Sequence, residues 1–188
     1  MVNYNNASVQ DGYESGGGSG WTDNPTTLYA GSTDYHQAWR YPSLTVPATQ
    51  TLDNATHTIG NISVEGASMT GLDYRGVVGV ATPGAITTAT RPSVRDGAGN
   101  LTTGAATVTF PTSPGTGSEA TDVAVVIQAI VDDAAYTILD DVILVLFEDG
   151  SSGANYHTMT GAGATSGTLD VNWTVAGGSI LTHIMAYS

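Results

Sequence analysis

Two kinds of pattern run through the chain, and the more apolar one lies near its centre. Val123, Val126, Ile127, Ile130 and Val131 recur at i, i+3, i+4, i+7 and i+8. That spacing places them on one face of a helix. Thr121 or Ser118 stands where a cap is wanted, and Glu119 and Asp122 lie on the side of the helix dipole that favours negative charge. β-Branched residues are mediocre helix formers, so a short helix is predicted. Val142 to Phe147 then gives six apolar residues in a row. Such a run is too short to cross a membrane and suits a central strand buried on both faces. Glu148-Asp149-Gly150-Ser151-Ser152-Gly153 reads as the turn that closes it.

Elsewhere the pattern is strands and turns. Ala38 to Val46 reads as the first core strand, with Pro42 and Pro47 at an edge or at its ends. Leu52 to Val64 follows, with Ile59, Ile62 and Val64 as the inward positions. Leu72 to Val80 reads as a strand bulged at Gly76 or Gly79. A loop leads to Arg91-Pro92-Ser93-Val94, and Arg95 to Asn100 is a turn. Thr102 to Phe110 alternates, with Ala106, Val108 and Phe110 on one face, and Thr112 to Ser118 reads as a loop. Tyr156 to Met159 is a short strand. Thr168 to Val175 alternates cleanly, with Leu169, Val171, Trp173 and Val175 inward. Ile180 to Ala186 reads as a last strand that ties down the C-terminus. Roughly eight strands at this spacing predict a mostly β fold, an antiparallel β-sandwich or jelly roll, with one short helix. Residues 1–38 are polar and Gly-rich, and they predict an extended N-terminal arm ahead of a sandwich over 39–188.

Composition narrows the function. The chain has 188 residues, 40% of them hydrophobic, which is enough for one sizeable core. Net charge is −13, and Arg40, Arg75, Arg91 and Arg95 are its four basic residues, so it has no lysine. A nucleic-acid partner needs cations for its phosphates, and an anionic membrane surface needs them too, so both are disfavoured. Without cysteine there is no disulfide scaffold, no thiol nucleophile and no thiolate metal site. The first residues have no basic n-region and no apolar h-region, so they do not read as a signal peptide. Assembly into a virus particle is a route out of the cell that needs none. Five Asn-X-Ser/Thr triplets, at Asn6, Asn54, Asn61, Asn100 and Asn172, are what chance gives in a chain this rich in Asn, Ser and Thr.

Catalytic signatures are missing. His36, His57, His157 and His183 fall into no metal-binding spacing, and no nucleophile elbow, P-loop or dinucleotide fingerprint occurs. No enzyme activity and no obligate cofactor are therefore expected. Carboxylates cluster at Asp132-Asp133, Asp140-Asp141 and Glu148-Asp149. The first two pairs are candidate Ca²⁺ ligands through hard oxygen donors, against the blander reading of solvated turn residues. A glycosidase acid/base pair is a remote third reading. Aromatic residues stud the arm: Tyr4, Tyr13, Trp21, Tyr29 and Tyr35. They are candidates for contact with a protein partner, where Tyr and Trp are usual hot spots, or for stacking on sugar rings together with Trp39 and Tyr41. Trp39 and Tyr41 have the competing reading of strand packing.

Three stretches carry a resemblance. They are Arg40-Tyr41-Pro42-Ser43-Leu44-Thr45-Val46-Pro47, the Arg91-Pro92-Ser93 loop, and the unit from Asp122 to Gly150, which reads DVAVVIQAIV, then VILVLF, then DGSSG. The chain from Trp39 onward resembles jelly-roll modules of the galactose-binding-like, DNRLRE-type carbohydrate-binding-like kind, found in phage structural proteins and bacterial surface proteins. Where that family often has Trp, this chain has Tyr136, and none of the family's ligand-binding residues transfers to a position here. The resemblance implies a virion structural protein, specifically a capsid decoration (cement) protein or a related head or tail accessory subunit. Its expected partners are other virion proteins and copies of itself. The alternative it implies is a glycan-binding adhesin module, with Ca²⁺ at one acidic cluster.

Overall fold

A computed structural model describes residues 1–15, 20–25, 27–31, 35–65, 69–102, 106–110, 117–148, 156–160 and 167–175. The segment expected as an extended arm ahead of the sandwich supplies strands to both of its sheets. It supplies β1 (Val2–Ala7), β2 (Gln10–Glu14), β3 (Trp21–Asp23) and β4 (Thr27–Gly31). β5 (His36–Tyr41), β6 (Leu52–Glu65) and β7 (Met69–Gly76) follow. After helix α1 (Pro92–Gly97) come β8 (Ala106–Phe110), β9 (Gly117–Asp122) and helix α2 (Ala124–Val131). β10 (Val142–Glu148), β11 (Tyr156–Thr160) and β12 (Gly167–Trp173) complete the order.

The strands form two antiparallel sheets packed as a β-sandwich. One sheet runs β3-β2-β5-β10-β7-β8. In the other, Thr56 to Ile59 of β6 pair with β12 on one edge and β9 on the other, while Ile62 pairs with β11 and β9. β12 and β11 therefore follow one another along the same edge of β6. β1 and β4 follow one another in turn along the far edge of β12 and β11. Tyr4 is buried, and its hydroxyl donates to the Pro42 carbonyl at 2.6 Å.

Alternation divides the buried residues between two layers. Val142, Leu144 and Leu146 of β10 face the interior of the sandwich. They meet Trp39 and Tyr41 of β5, Tyr74 of β7, and Ala55, Leu169, Val171 and Trp173 of the opposite sheet. Ile143 and Val145 face outward, onto a second cluster with Ala38, Val77, Ile86 and Leu101. The excursion over residues 77–102 covers that outer face, so β10 is buried on both sides, as its unbroken apolar run predicts. The cover is anchored to β2. Gln10 donates to the Ile86 carbonyl and accepts the Ile86 amide, both at 2.8 Å. The Glu14 carboxylate accepts the Ser93 amide at 2.8 Å and pairs with Arg91 at 2.7 Å. It thus caps α1, which has no side-chain cap of its own.

Several expectations need correction. There are two helices among the described residues, because Pro92 starts α1 where a loop and a turn were expected. Neither Thr121 nor Ser118 caps α2: both lie in β9, within a segment partly expected as loop, and Asp122 accepts the Ala124 amide at 2.9 Å instead. β5 ends at Tyr41, before Pro42; beyond it Leu44 and Val46 enter the core as irregular chain. Gly76 is no bulge. A side chain there would meet Ile130 Cδ1 at 2.5 Å, so the missing Cβ lets α2 rest on β7. Val175 is exposed and β12 stops at Trp173. The strand expected over Ile180 to Ala186 lies outside the described residues.

Candidate functional site

The residues singled out by chemistry are mostly spent on structure. Tyr4 is in the core. Tyr13 and Tyr35 are half-buried and tilt against each other with ring centres 5.9 Å apart. Trp21 is half-buried and packs against the outer cluster, over Gly12, where a Cβ would strike its ring. The side chain of Tyr29 lies outside the described residues. Trp39 and Tyr41 are fully buried. Among the aromatic side chains that the structure describes none is exposed, so none of these offers a sugar an open ring face.

The four acidic candidates do not converge. Asp132 ends α2 and accepts Gln128 Nε2 at 3.0 Å, and Asp133 accepts the Ala135 amide at 2.8 Å. Asp140 is buried. It accepts the Thr137 amide and hydroxyl at 2.8 and 3.0 Å and the Thr82 hydroxyl at 3.0 Å. Burial alone would raise its carboxyl pKa, but these hydrogen bonds outweigh burial and hold it below the ordinary range. Asp141 pairs with Arg40 at 2.6 Å and accepts the Ser43 amide at 3.1 Å. Asp133, Asp140 and Asp141 thus each fix a loop, while Asp132 bonds back to its own helix. Among the described residues no three His, Asp or Glu side chains form a group that would hold a metal ion.

A fully buried polar group, His57, is also structural. His57, on β6, sits between the Tyr41 hydroxyl at 2.6 Å and the Tyr74 hydroxyl at 2.7 Å. All three are fully buried, and burial pushes the imidazole pKa down to about 3. The ring is neutral at pH 7, so one tyrosine donates to it and the other accepts from it. Gly167 makes room: a Cβ there would meet the Tyr41 oxygen at 2.5 Å and His57 Nε2 at 2.7 Å. The trio ties the two sheets together, out of reach of any substrate.

What remains is a surface. On β1, β12, β6 and β9 the residues that do not face the core form rows across the outer side of their sheet. Asn3 stands beside Asn172 and Asn54. Asn5 stands beside Asp170, Thr56 and Asp122. Ala7 stands beside Thr168, Thr58 and Ala120. No side chain in these rows is longer than that of Asn or Asp. The first two rows are cross-linked. Asp170 accepts Asn3, Asn5 and Asn172 at 3.1, 2.6 and 2.6 Å, and Asn172 also donates to Asn54 at 2.8 Å. Asp53, exposed next to the bulge where β12 meets β6, accepts the Thr174 hydroxyl at 2.8 Å. The result is a low polar face on which Asn3, Asn5, Asn54, Asp170 and Asn172 are held by one another before any partner arrives.

This face was legible only in part. The alternation of Thr168 to Val175 is plain, and its apolar half defines the core. Its polar half, Thr168, Asp170 and Asn172, becomes a surface only when β1 and β6 lie beside it in register. No protein-family model matches the chain, and no curated protein matches it.

Proposed function

We propose that the protein is a virion structural protein, a capsid decoration or related head or tail accessory subunit that acts through protein contacts. The observation that carries the contact reading is the outer face of Asn, Asp and Thr on β1, β12, β6 and β9, partly cross-linked and free of any bulky side chain. A surface of that shape suits another protein surface better than it suits a small substrate, which needs a concave site. The virion setting rests on the family resemblance of the Arg40 to Pro47, Arg91 to Ser93 and Asp122 to Gly150 stretches.

Strand order supports the jelly-roll part of this reading. Counting β4 to β10 in sequence as first to seventh, and β11 with β12 as the eighth, one sheet runs first–eighth–third–sixth. The other runs second–seventh–fourth–fifth. That is the interleaved order of two Greek keys. β1, and the β2–β3 hairpin beyond β5, are additions to this frame.

Proteomics of purified particles tests the proposal: the chain is expected as a stoichiometric component, and its absence from intact particles would sink the virion reading. The second reading, a glycan-binding adhesin, draws on the same Asp170–Asn cluster, whose amides and carboxylate suit sugar hydroxyls. It lacks an exposed ring to stack on among the described side chains. Binding to a glycan array, with or without calcium, would favour it over protein contact.

A further inference from the structure

Resting on the contact-protein reading, we infer that the outer face of β1, β12, β6 and β9 docks onto a basic surface of a different protein. The argument is the distribution of charge. The chain's side-chain cations, histidine aside, are four arginines, and all four lie on the other side of the sandwich. Arg40 and Arg75 point outward from β5 and β7, paired with Asp141 and Asp96 at 2.6 and 2.9 Å. Arg91 and Arg95 belong to the cover over that same sheet, where Arg91 pairs with Glu14 and Arg95 is buried with Nε donating to the Thr90 carbonyl. The docking face holds Asp53, Asp122 and Asp170 and no arginine. Its carboxylates are met by amides, hydroxyls and a backbone N–H, none of which neutralises them.

The partner's sign follows. A second copy of this chain would bring either the same acidic face or a side whose arginines are already engaged. Repulsion at −13 net charge opposes both. Lys or Arg from another protein would supply the missing charge, and the low relief of the face lets such side chains reach Asp170 and Asp122 without displacing anything bulky. An acidic face also speeds encounter with a basic one and makes the contact weaken with salt.

The test uses isotope-labelled full-length protein titrated with an oligolysine peptide and followed by amide NMR. Shifts are expected to concentrate on β1, β12 and the first half of β6 and to fade at high salt. Asp170→Asn and Asp53→Asn should each weaken binding by roughly two- to fivefold, the size expected of one exposed charge pair. Asp132→Asn, with the same charge change at the end of α2, should leave it unchanged. Asp53 is exposed and its variant spares the Asp170 network, so a folding defect in one variant does not decide the matter. Shifts spread over the whole molecule, or equal losses in the Asp132 control, would overturn the inference. If purified particles lack the protein, the virion reading falls, while the titration still decides whether this face selects cations.

Discussion

His57 shows how one residue can carry a pH dependence for the whole fold. In an unfolded chain its pKa is near 6.5, and in the fold burial depresses it to about 3. Above pH 6.5 the ring is neutral in both states, and its hydrogen bonds to Tyr41 and Tyr74 are fully available. As pH falls below 6.5 the unfolded chain takes up a proton that the buried ring refuses, so stability declines down to about pH 3. The loss expected over that window is on the order of several kcal/mol. Asp140, held below the ordinary carboxylate range, acts in the same direction at the acid end. Chemical denaturation of wild type and His57→Gln across pH 3 to 7 checks this. The variant should be less stable at pH 7 and show a slope shallower by about one proton. Parallel curves would mean that another group sets the acid lability.

At the scale of elements, α2 and β7 meet without a spacer. Gly76 leaves no side chain between them, and Val126 and Ile130 fill the space. Strand propensity alone favours valine at that position, by up to about 1 kcal/mol. Packing opposes it, because the new side chain would overlap Ile130, and overpacking costs about 1–3 kcal/mol. Packing should win, so Gly76→Val is expected to lower the denaturation midpoint and loosen α2. Stability equal to or above wild type would mean that the helix has room to slide. The helix itself was readable from Val126, Ile127, Ile130 and Val131, all buried as their spacing predicts. Its start was not, because β9 consumes Ser118 and Thr121, and β9 has no apolar alternation to betray it.

For the molecule as a whole, the consequential finding is that the described strands of residues 1–38 belong to the sandwich. β1 lines β12 in one sheet and β2 lines β5 in the other, while Glu14 and Gln10 hold the cover over residues 77–102. A fragment of residues 39–188 would lose four strands and the start of β5, uncover Trp173 and Val171, and release the cap of α1. It is expected to lack a cooperative unfolding transition and to bind hydrophobic dyes. A fragment that unfolds sharply, near the wild-type midpoint, would show that the N-terminal strands are appendages after all.

The sequence by itself determined the local things. Alternation in Leu169, Val171 and Trp173 needs only its own strand to be recognised, and so does the doubly buried run of β10. The mostly β class, the short helix and the absence of catalytic spacing follow from such patterns. Tertiary structure decided whatever depends on a distant partner. Tyr4 looks like an exposed anchor until the Pro42 carbonyl takes its hydroxyl, and Asp140 looks like a cation ligand until Thr82 and Thr137 satisfy it. The Asn, Asp and Thr residues of β1, β6 and β12 are ordinary polar positions along three separated stretches of chain. Antiparallel register brings them side by side, and the placement of every arginine on the far side of the sandwich leaves their charge unanswered. The first is a property of strand pairing between residues more than a hundred positions apart, and no local period encodes it.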